Sequence, residues 1–150
     1  MENHIDDIQQ SKIALYQSDD GLISVDVIFY DETFWLTQKI MSELFFVEVK
    51  TVNEHLQSIY KSKELDEDST IRNFRIVQKE GARDVSREIM FYNLDAIIAV
   101  GYRVNSKQAT QFRRFYNLWQ RVDPAGAVVR LRITKPNQLI APKVNLHTLF

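Results

Sequence analysis

The sequence contains no cysteine, and it has four glycines and three prolines among its 150 residues. The lack of cysteine excludes disulfide bonds and thiolate ligands for a metal. The glycines are not clustered, which excludes a glycine-rich phosphate-binding loop. No apolar run approaches the roughly 20 residues of a membrane-spanning helix, and the polar first ten residues do not form a secretory signal. We therefore expect a cytoplasmic protein that does not associate with a membrane.

Charge is distributed unevenly along the chain, although the formal net charge is −1. Residues 1–95 contain 10 Lys and Arg against 19 Asp and Glu, whereas residues 96–150 contain nine basic residues and one acid, Asp123. Clustered positive charge is typical of a surface that binds a polyanion. A basic helix and tail that are merely solvated would give the same pattern.

Two pairs of segments have the pattern of β-hairpins. IALYQ (13–17) and LISVDVIFY (22–30) flank the turn SDDG, and the second has one apolar face, which predicts a one-sided sheet over a core. TIRNFRIVQ (70–78) and DVSREIMFY (84–92) flank a turn that contains glycine, after the charged loop KSKELDEDS. We expect Trp35 to close the core between the first hairpin and the helices.

Four segments have helical spacing of their apolar residues. Thr37 is the predicted N-cap of the first helix, and the second helix is predicted to start near Lys50 or Thr51. Asn93 is the predicted cap of a largely buried helix, LDAIIAVGYRV, and Ser106 of a further helix that extends to about residue 122. In the last helix one side is predicted to be apolar, and it is lined by Ala109, Phe112, Phe115 or Tyr116, and Trp119.

The first two helices resemble a helix-turn-helix, in which the second helix presents polar side chains to DNA. The small Ser42 fits the close approach of the two helices. Phe46 occupies the position where such turns usually have a left-handed glycine, so we expect either a different turn or a longer first helix. The polar outer face of the second helix also includes Glu48 and Glu54, which phosphate would repel.

A helix pair followed by a β-hairpin is the order of a winged helix, whose wing rests basic side chains on the phosphate backbone. We therefore predict an α+β fold with an N-terminal β-hairpin, a helix-turn-helix-like pair, a β-hairpin wing and two C-terminal helices. The predicted contacts with the major groove are Lys50, Thr51, Asn53 and Gln57. The predicted phosphate contacts are Arg72, Arg75, Arg83, Arg103, Lys107 and Arg113.

The sequence shows no pattern of a catalytic or metal site. His4, His55 and His147 are far apart, and none belongs to a zinc-binding spacing. A nucleophile elbow of the G-x-S-x-G type is also missing. We predict no catalytic residue, no metal and no cofactor, and hence a protein that is not an enzyme.

Three stretches resemble, in the same order, the virulence RhuM family of bacterial proteins: WLTQKIMSELFFVEVKTVNEHL, ELDEDSTIRNFRIVQ and FYNLDAIIAVGYRVNSKQATQFRR. The resemblance covers approximately residues 12–115. The third stretch is also similar, more loosely, to the N-terminal DNA-binding domain of Bro-type phage antirepressors. The resemblance implies a DNA-binding or regulatory module associated with mobile genetic elements, and it implies no catalytic residues.

Two departures from the family pattern accompany this resemblance. The family typically has glycine at the position of Phe46, and its members continue after FRR with a long helical part. Beyond about residue 113 this chain has three prolines and loses the family pattern, which suggests truncation or a shifted reading frame. We expect a flexible leader (1–11), a RhuM-like DNA-binding domain (12–122) and an irregular basic tail (123–150).

Two functions fit these observations. The first is a regulator that binds double-stranded DNA, and helix-turn-helix proteins are frequently homodimers. The alternative is a protein–protein adaptor, such as an antitoxin-like or effector-associated module, which the acids among the wing arginines favour. An enzyme acting on nucleic acid would need carboxylates gathered around Mg²⁺, and the spacing does not indicate them.

Overall fold

The computed structural model describes residues 12–122, without the side chains of residues 12, 76–79, 121 and 122. A five-stranded antiparallel sheet has the order β1-β2-β3-β5-β4. The strands are β1 (Lys12–Gln17), β2 (Ser24–Tyr30), β3 (Thr33–Leu36), β4 (Ile71–Glu80) and β5 (Arg83–Asn93). The helices are α1 (Gln38–Phe45), α2 (Val49–Lys61), α3 (Glu67–Thr70), α4 (Leu94–Val104) and α5 (Ser106–Val122). The predicted α+β class is confirmed, whereas the winged-helix-like detail stays a prediction. The predicted leader and tail lie outside the described residues.

Both predicted hairpins form. In the first, the backbone N–H of Ile23 donates to the Ser18 hydroxyl oxygen at 3.0 Å, and that of Leu22 donates to the Asp20 carboxylate at 3.0 Å. Leu22 is 76% exposed, and β2 starts two residues after it. In the second hairpin, Gly81 has a φ of +65°, the left-handed conformation that a tight turn between strands requires.

The short segment TFWL forms β3, which the hairpin pattern did not predict. Trp35 is paired with Ile28 of β2 on one side and with Asn93 of β5 on the other. β3 therefore joins the N-terminal strands and the β4–β5 hairpin into one sheet. Four residues give too short a pattern for alternation to be recognised in the sequence.

The main core lies between one face of the sheet and the helices. Phe34 packs against Phe115 of α5 with ring centroids 5.6 Å apart, and Tyr16 packs edge-on against Phe112 at 5.2 Å. α4 is buried along most of its length and contacts both α2 and α5. The predicted apolar side of α5 is confirmed, since its members are all buried: Ala109, Phe112, Phe115 and Trp119.

A second, smaller core lies on the opposite face of the sheet, so the prediction of a one-sided sheet is wrong. Its buried members are Ile13, Ile28, Trp35, Phe74 and Phe91. The expectation that Trp35 closes the core beside the helices is also wrong. Alternate residues of a strand point to opposite faces, so Phe34 enters the main core and Trp35 the second one. The Trp35 ring N–H donates to the Tyr30 carbonyl at 2.8 Å.

The helix starts agree with the sequence in two cases of four. Thr37 and Asn93 cap α1 and α4, since their side-chain oxygens accept from the N–H groups of Ile40 and Ala96 at 3.2 Å each. The predicted Ser106 cap is wrong by one residue, because the amide oxygen of Asn105 accepts from the Gln108 N–H at 3.3 Å. α2 starts at Val49, slightly earlier than predicted.

The charged segment before β4 is partly helical and not wholly a loop, as the sequence suggested. Asp66 accepts a hydrogen bond from the Ser69 N–H at 3.1 Å, and this cap starts the single turn of α3. Asp, Glu and Ser are favoured in the first turn of a helix, since their acceptors meet the unpaired N–H groups. Asp66 of this segment therefore acts locally on the backbone.

Candidate nucleic-acid interface

The turn between α1 and α2 is left-handed at Phe46. Phe46 adopts φ 59° and ψ 46°, the left-handed conformation in which glycine is usual. The N–H of Val47 donates to the Ser42 carbonyl at 3.1 Å and closes the end of α1. The prediction of a different turn or a longer first helix is therefore wrong. A bulky residue in this conformation costs roughly 1–2 kcal/mol, and the Phe46 side chain is 69% exposed.

The outer face of α2 is open to solvent. Val52, Leu56 and Ile59 are buried against the rest of the helical layer. The exposed side chains recur at helical spacing on the opposite face: Lys50, Glu54, Gln57 and Lys61. Of the predicted reading residues, Lys50 and Gln57 are exposed, and Thr51 and Asn53 are half-buried. Lys61 was not predicted as a contact, although its spacing from Lys50 and Gln57 places it on the same face.

Asn53 is held by a hydrogen-bonded chain that links α2, α1 and β5. The amide nitrogen Nε2 of Gln38 donates to Asn53 Oδ1 at 3.2 Å and to the Tyr92 hydroxyl at 2.9 Å. The Tyr92 hydroxyl donates to Met90 Sδ at 3.0 Å. Burial raises the pKa of the Tyr92 phenol above its ordinary value, so this group keeps its proton and remains a donor. Gln38 and Tyr92 are 54 residues apart, and no local sequence pattern indicates their contact.

A groove separates α2 from the base of the β4–β5 hairpin. Its volume is about 410 Å³. Leu56, Gln57 and Lys61 line it from α2, and Ile71, Met90 and Tyr92 line it from the hairpin. Tyr60 also lines it, and its hydroxyl forms a 2.8 Å hydrogen bond with the Thr70 hydroxyl. The hairpin thus lies beside α2 across this groove.

The hairpin arginines are divided between the two faces of the sheet. Arg75 shares the side of Ile71 by strand alternation, hence the side of α2, and its guanidinium is 4.0 Å from the Glu88 carboxylate. Arg72 lies on the opposite side, where its guanidinium carbon is 4.9 Å from the centre of the Tyr30 ring and its charge is 3.9 Å from Asp31. Arg83 is exposed beside the turn.

The remaining predicted phosphate contacts belong to the C-terminal helices. Arg103, at the end of α4, pairs with Glu64 in the segment after α2, at 2.5 Å. Lys107 and Arg113 are exposed on α5. The pKa of Asp20 in the first hairpin is lowered mainly by hydrogen bonds from the Leu22 N–H and the Ser18 hydroxyl, and to a smaller extent by the charge of Lys107. α4 contacts both α2 and α5 and so lies between them.

The structure thus brings together one part of the predicted set. Asn53 and Gln57 line the groove, and Lys50 is exposed on the same helix. Arg75 lies on the same side of the hairpin by strand alternation, and Arg103 lies near the end of α2 through its pair with Glu64. Arg72 occupies the other face of the sheet. Lys107 and Arg113 lie on a helix that packs against β1 and β2, so their predicted phosphate contacts would need a different surface.

Residues 69–121 match the family model of the Virulence protein RhuM family. This match supports assignment of the chain to the RhuM family. The predicted family is confirmed, and the RhuM match covers the hairpin, α4 and nearly all of α5. It reaches residue 121, so the family-like part continues beyond residue 113, where the sequence suggested a departure. The α1–α2 pair lies before the matched residues. No curated protein and no solved structure matches the chain.

The part of the chain described here contains no cluster of three His, Asp or Glu side chains that could hold a metal ion. Among its helices, none combines the length and the apolar character that crossing a bilayer requires.

Proposed function

We propose that this RhuM-family protein binds double-stranded DNA, with α2 in the major groove and the β4–β5 hairpin beside it. The observation that carries the proposal is the left-handed turn at Phe46, which sets a short helix with an open polar face directly after α1. In helix-turn-helix proteins the second helix lies in the groove and its N-terminal half contacts base edges. Lys50, Thr51 and Asn53 occupy that half of α2.

The charges around α2 support modest, salt-sensitive binding. Lys50 and Lys61 are one positive charge each on the outer face, and Glu54 lies between them. Arg75 adds a further cation on the hairpin, partly balanced by Glu88. Each neutralised phosphate contributes about −0.9 to the slope of log affinity against log salt, so three to four contacts give a slope of about −3 to −4.

A fluorescence anisotropy titration with a mixed-sequence duplex, repeated between about 50 and 200 mM salt, tests this arrangement. The wild-type protein is expected to bind with the slope given above. Lys50→Ala should weaken binding to all sequences and reduce the magnitude of the slope by about 1.

Lys107→Ala is the matched control, because it also removes one exposed lysine but from α5. Its affinity and slope should equal those of the wild type. Equal losses for Lys50→Ala and Lys107→Ala would show that α2 does not define the interface. No binding at about 50 mM salt would overturn the proposed function itself.

A protein–protein adaptor is the second candidate, and one observation favours it. Phe46 and Val49 are exposed apolar residues on either side of the turn, and Glu43 and Glu48 border them. Exposed apolar groups rimmed by charge are typical of sites that bind another protein. In this case the wild type should capture a stoichiometric protein partner and Phe46→Ser should not, and neither protein should bind DNA. DNA binding by the wild type without such a partner would exclude the adaptor.

A further inference from the structure

The chain of hydrogen bonds around Gln38 has a direction. An amide nitrogen carries two hydrogens and accepts none, and both hydrogens of Gln38 Nε2 are used, one for Asn53 Oδ1 and one for the Tyr92 hydroxyl. The Tyr92 hydroxyl in turn gives its single hydrogen to Met90 Sδ. Donation therefore starts at Gln38, and the Tyr92 hydroxyl both accepts from Gln38 and donates to Met90.

This direction fixes which end of the Asn53 amide meets Gln38. Gln38 donates the hydrogen bond, so the acceptor on Asn53 must be its side-chain oxygen Oδ1. Its amide nitrogen, with two hydrogens, is then the polar atom left for a ligand. Asn53 lies in the N-terminal half of α2 and lines the groove beside the hairpin, where a ligand of α2 would meet it.

We propose that Asn53 acts as a specificity-determining donor, which contacts a base-edge acceptor such as guanine O6 or N7 or thymine O4. An unconstrained asparagine typically reads adenine with both its oxygen and its nitrogen. Here the oxygen points to Gln38, so Asn53 does not make this bidentate contact. The nitrogen alone disfavours cytosine, whose major-groove edge presents the N4 donor and no acceptor. Gln38 and Tyr92 are positioning residues for this contact. The inference rests on the proposed DNA binding and specifies its chemistry.

The test is a selection of binding sites from a duplex library with a randomised centre, with sequencing of the bound fraction. The wild type should prefer guanine or thymine over cytosine at one position by about fivefold or more. Asn53→Ala should remove the preference at that position and leave the others unchanged. Gln38→Glu offers only acceptors, so Asn53 must turn its nitrogen inward and its oxygen outward. Its preference should move to bases that present a donor, adenine or cytosine.

Ser58→Asp is the matched control for the added negative charge. Ser58 is exposed on α2, and its side chain takes no part in the hydrogen-bonded chain. It should weaken binding as Gln38→Glu does but keep the wild-type base preference. Gln38→Ala provides a second variant should Gln38→Glu fail to fold. It frees the Asn53 amide for the bidentate contact, so adenine should become the preferred base.

The outcomes separate this inference from the proposed function. If the wild type binds no duplex, both fail. If it binds but prefers adenine at every position sensitive to Asn53→Ala, the direction of the chain is wrong and DNA binding stands. Unchanged preference in Asn53→Ala, or in both Gln38 variants, would likewise overturn the inference alone.

Discussion

Gly101→Ala should destabilise the protein, although alanine is the better helix former. Gly101 lies in α4 where this helix meets α1 and α5. A Cβ at this position would be 2.6 Å from Phe45 Cζ and 2.8 Å from Ala109 Cβ. The Phe45 ring is 1% exposed and cannot turn into solvent, and Ala109 Cβ is attached directly to the α5 backbone. The clash must therefore be relieved by moving packed elements.

The magnitude follows from two opposing terms. Adding a methyl group to a close-packed site costs typically about 1–3 kcal/mol. Replacing glycine within a helix gains about 1 kcal/mol. With a clash on two sides, we place the cost near the upper end and expect a net loss of about 1–2 kcal/mol. For a domain of about 110 residues this lowers Tm by roughly 4–10 °C.

Urea denaturation and a thermal melt of both proteins provide the measurement. A Phe45→Leu background tests the cause, since leucine lacks the ring atom nearest the new methyl group. Gly101→Ala should cost less in that background than in the wild type, with a coupling of about 0.5 kcal/mol or more. A variant as stable as the wild type, or an equal cost in both backgrounds, would refute the reasoning.

Three further predictions concern the turn and two titrating groups. Phe46→Gly should be more stable than Phe46→Ala by about 1 kcal/mol in urea denaturation, because both remove the ring but only glycine relieves the left-handed strain; the reverse order would contradict the turn geometry. Hydrogen bonds from the Leu22 N–H and the Ser18 hydroxyl lower the pKa of Asp20, so its carboxylate stabilises the fold above the unfolded-state pKa and this stabilisation is lost as pH falls. Asp20→Asn should therefore reduce the drop of the urea midpoint between pH 7 and pH 3, and an unchanged drop would count against this reasoning. Burial, and secondarily the charge of Asp19, raises the pKa of the Tyr16 phenol, so its contribution to stability is complete below the ordinary tyrosine pKa and is lost as pH rises above it. Tyr16→Phe should therefore shift alkaline unfolding to higher pH in a circular dichroism titration, and an unshifted midpoint would contradict this.

The elements with strong local patterns were predictable from the sequence. The α4 segment combines a side-chain cap at Asn93 with a long apolar run, and the structure shows both. The hairpin around Gly81 was equally clear, since alternation and a turn residue coincide. The RhuM resemblance also depended on this region, and the family match covers it.

Other features depend on tertiary contacts that no local pattern carries. The second core needs Trp35, Phe74 and Phe91 to meet from three strands, and this follows from sheet order. The left-handed turn at Phe46 goes against the preference of its residue, because packing of α1 and α2 fixes the backbone there. Within the candidate interface, helical spacing identified Lys50 and Gln57 as outward, but the partners of Asn53 come from distant segments.

The brevity of β3 has a mechanical consequence. The β4–β5 ribbon is held together by ten residue pairs, about 30 Å of strand, whereas two pairs join it to β3. A force on the end of the ribbon far from β3 therefore exerts a large torque on these two residue pairs. Leu36, a member of one pair, directly precedes Thr37, the cap of α1. Bending of the ribbon therefore acts on the backbone immediately before the helix pair.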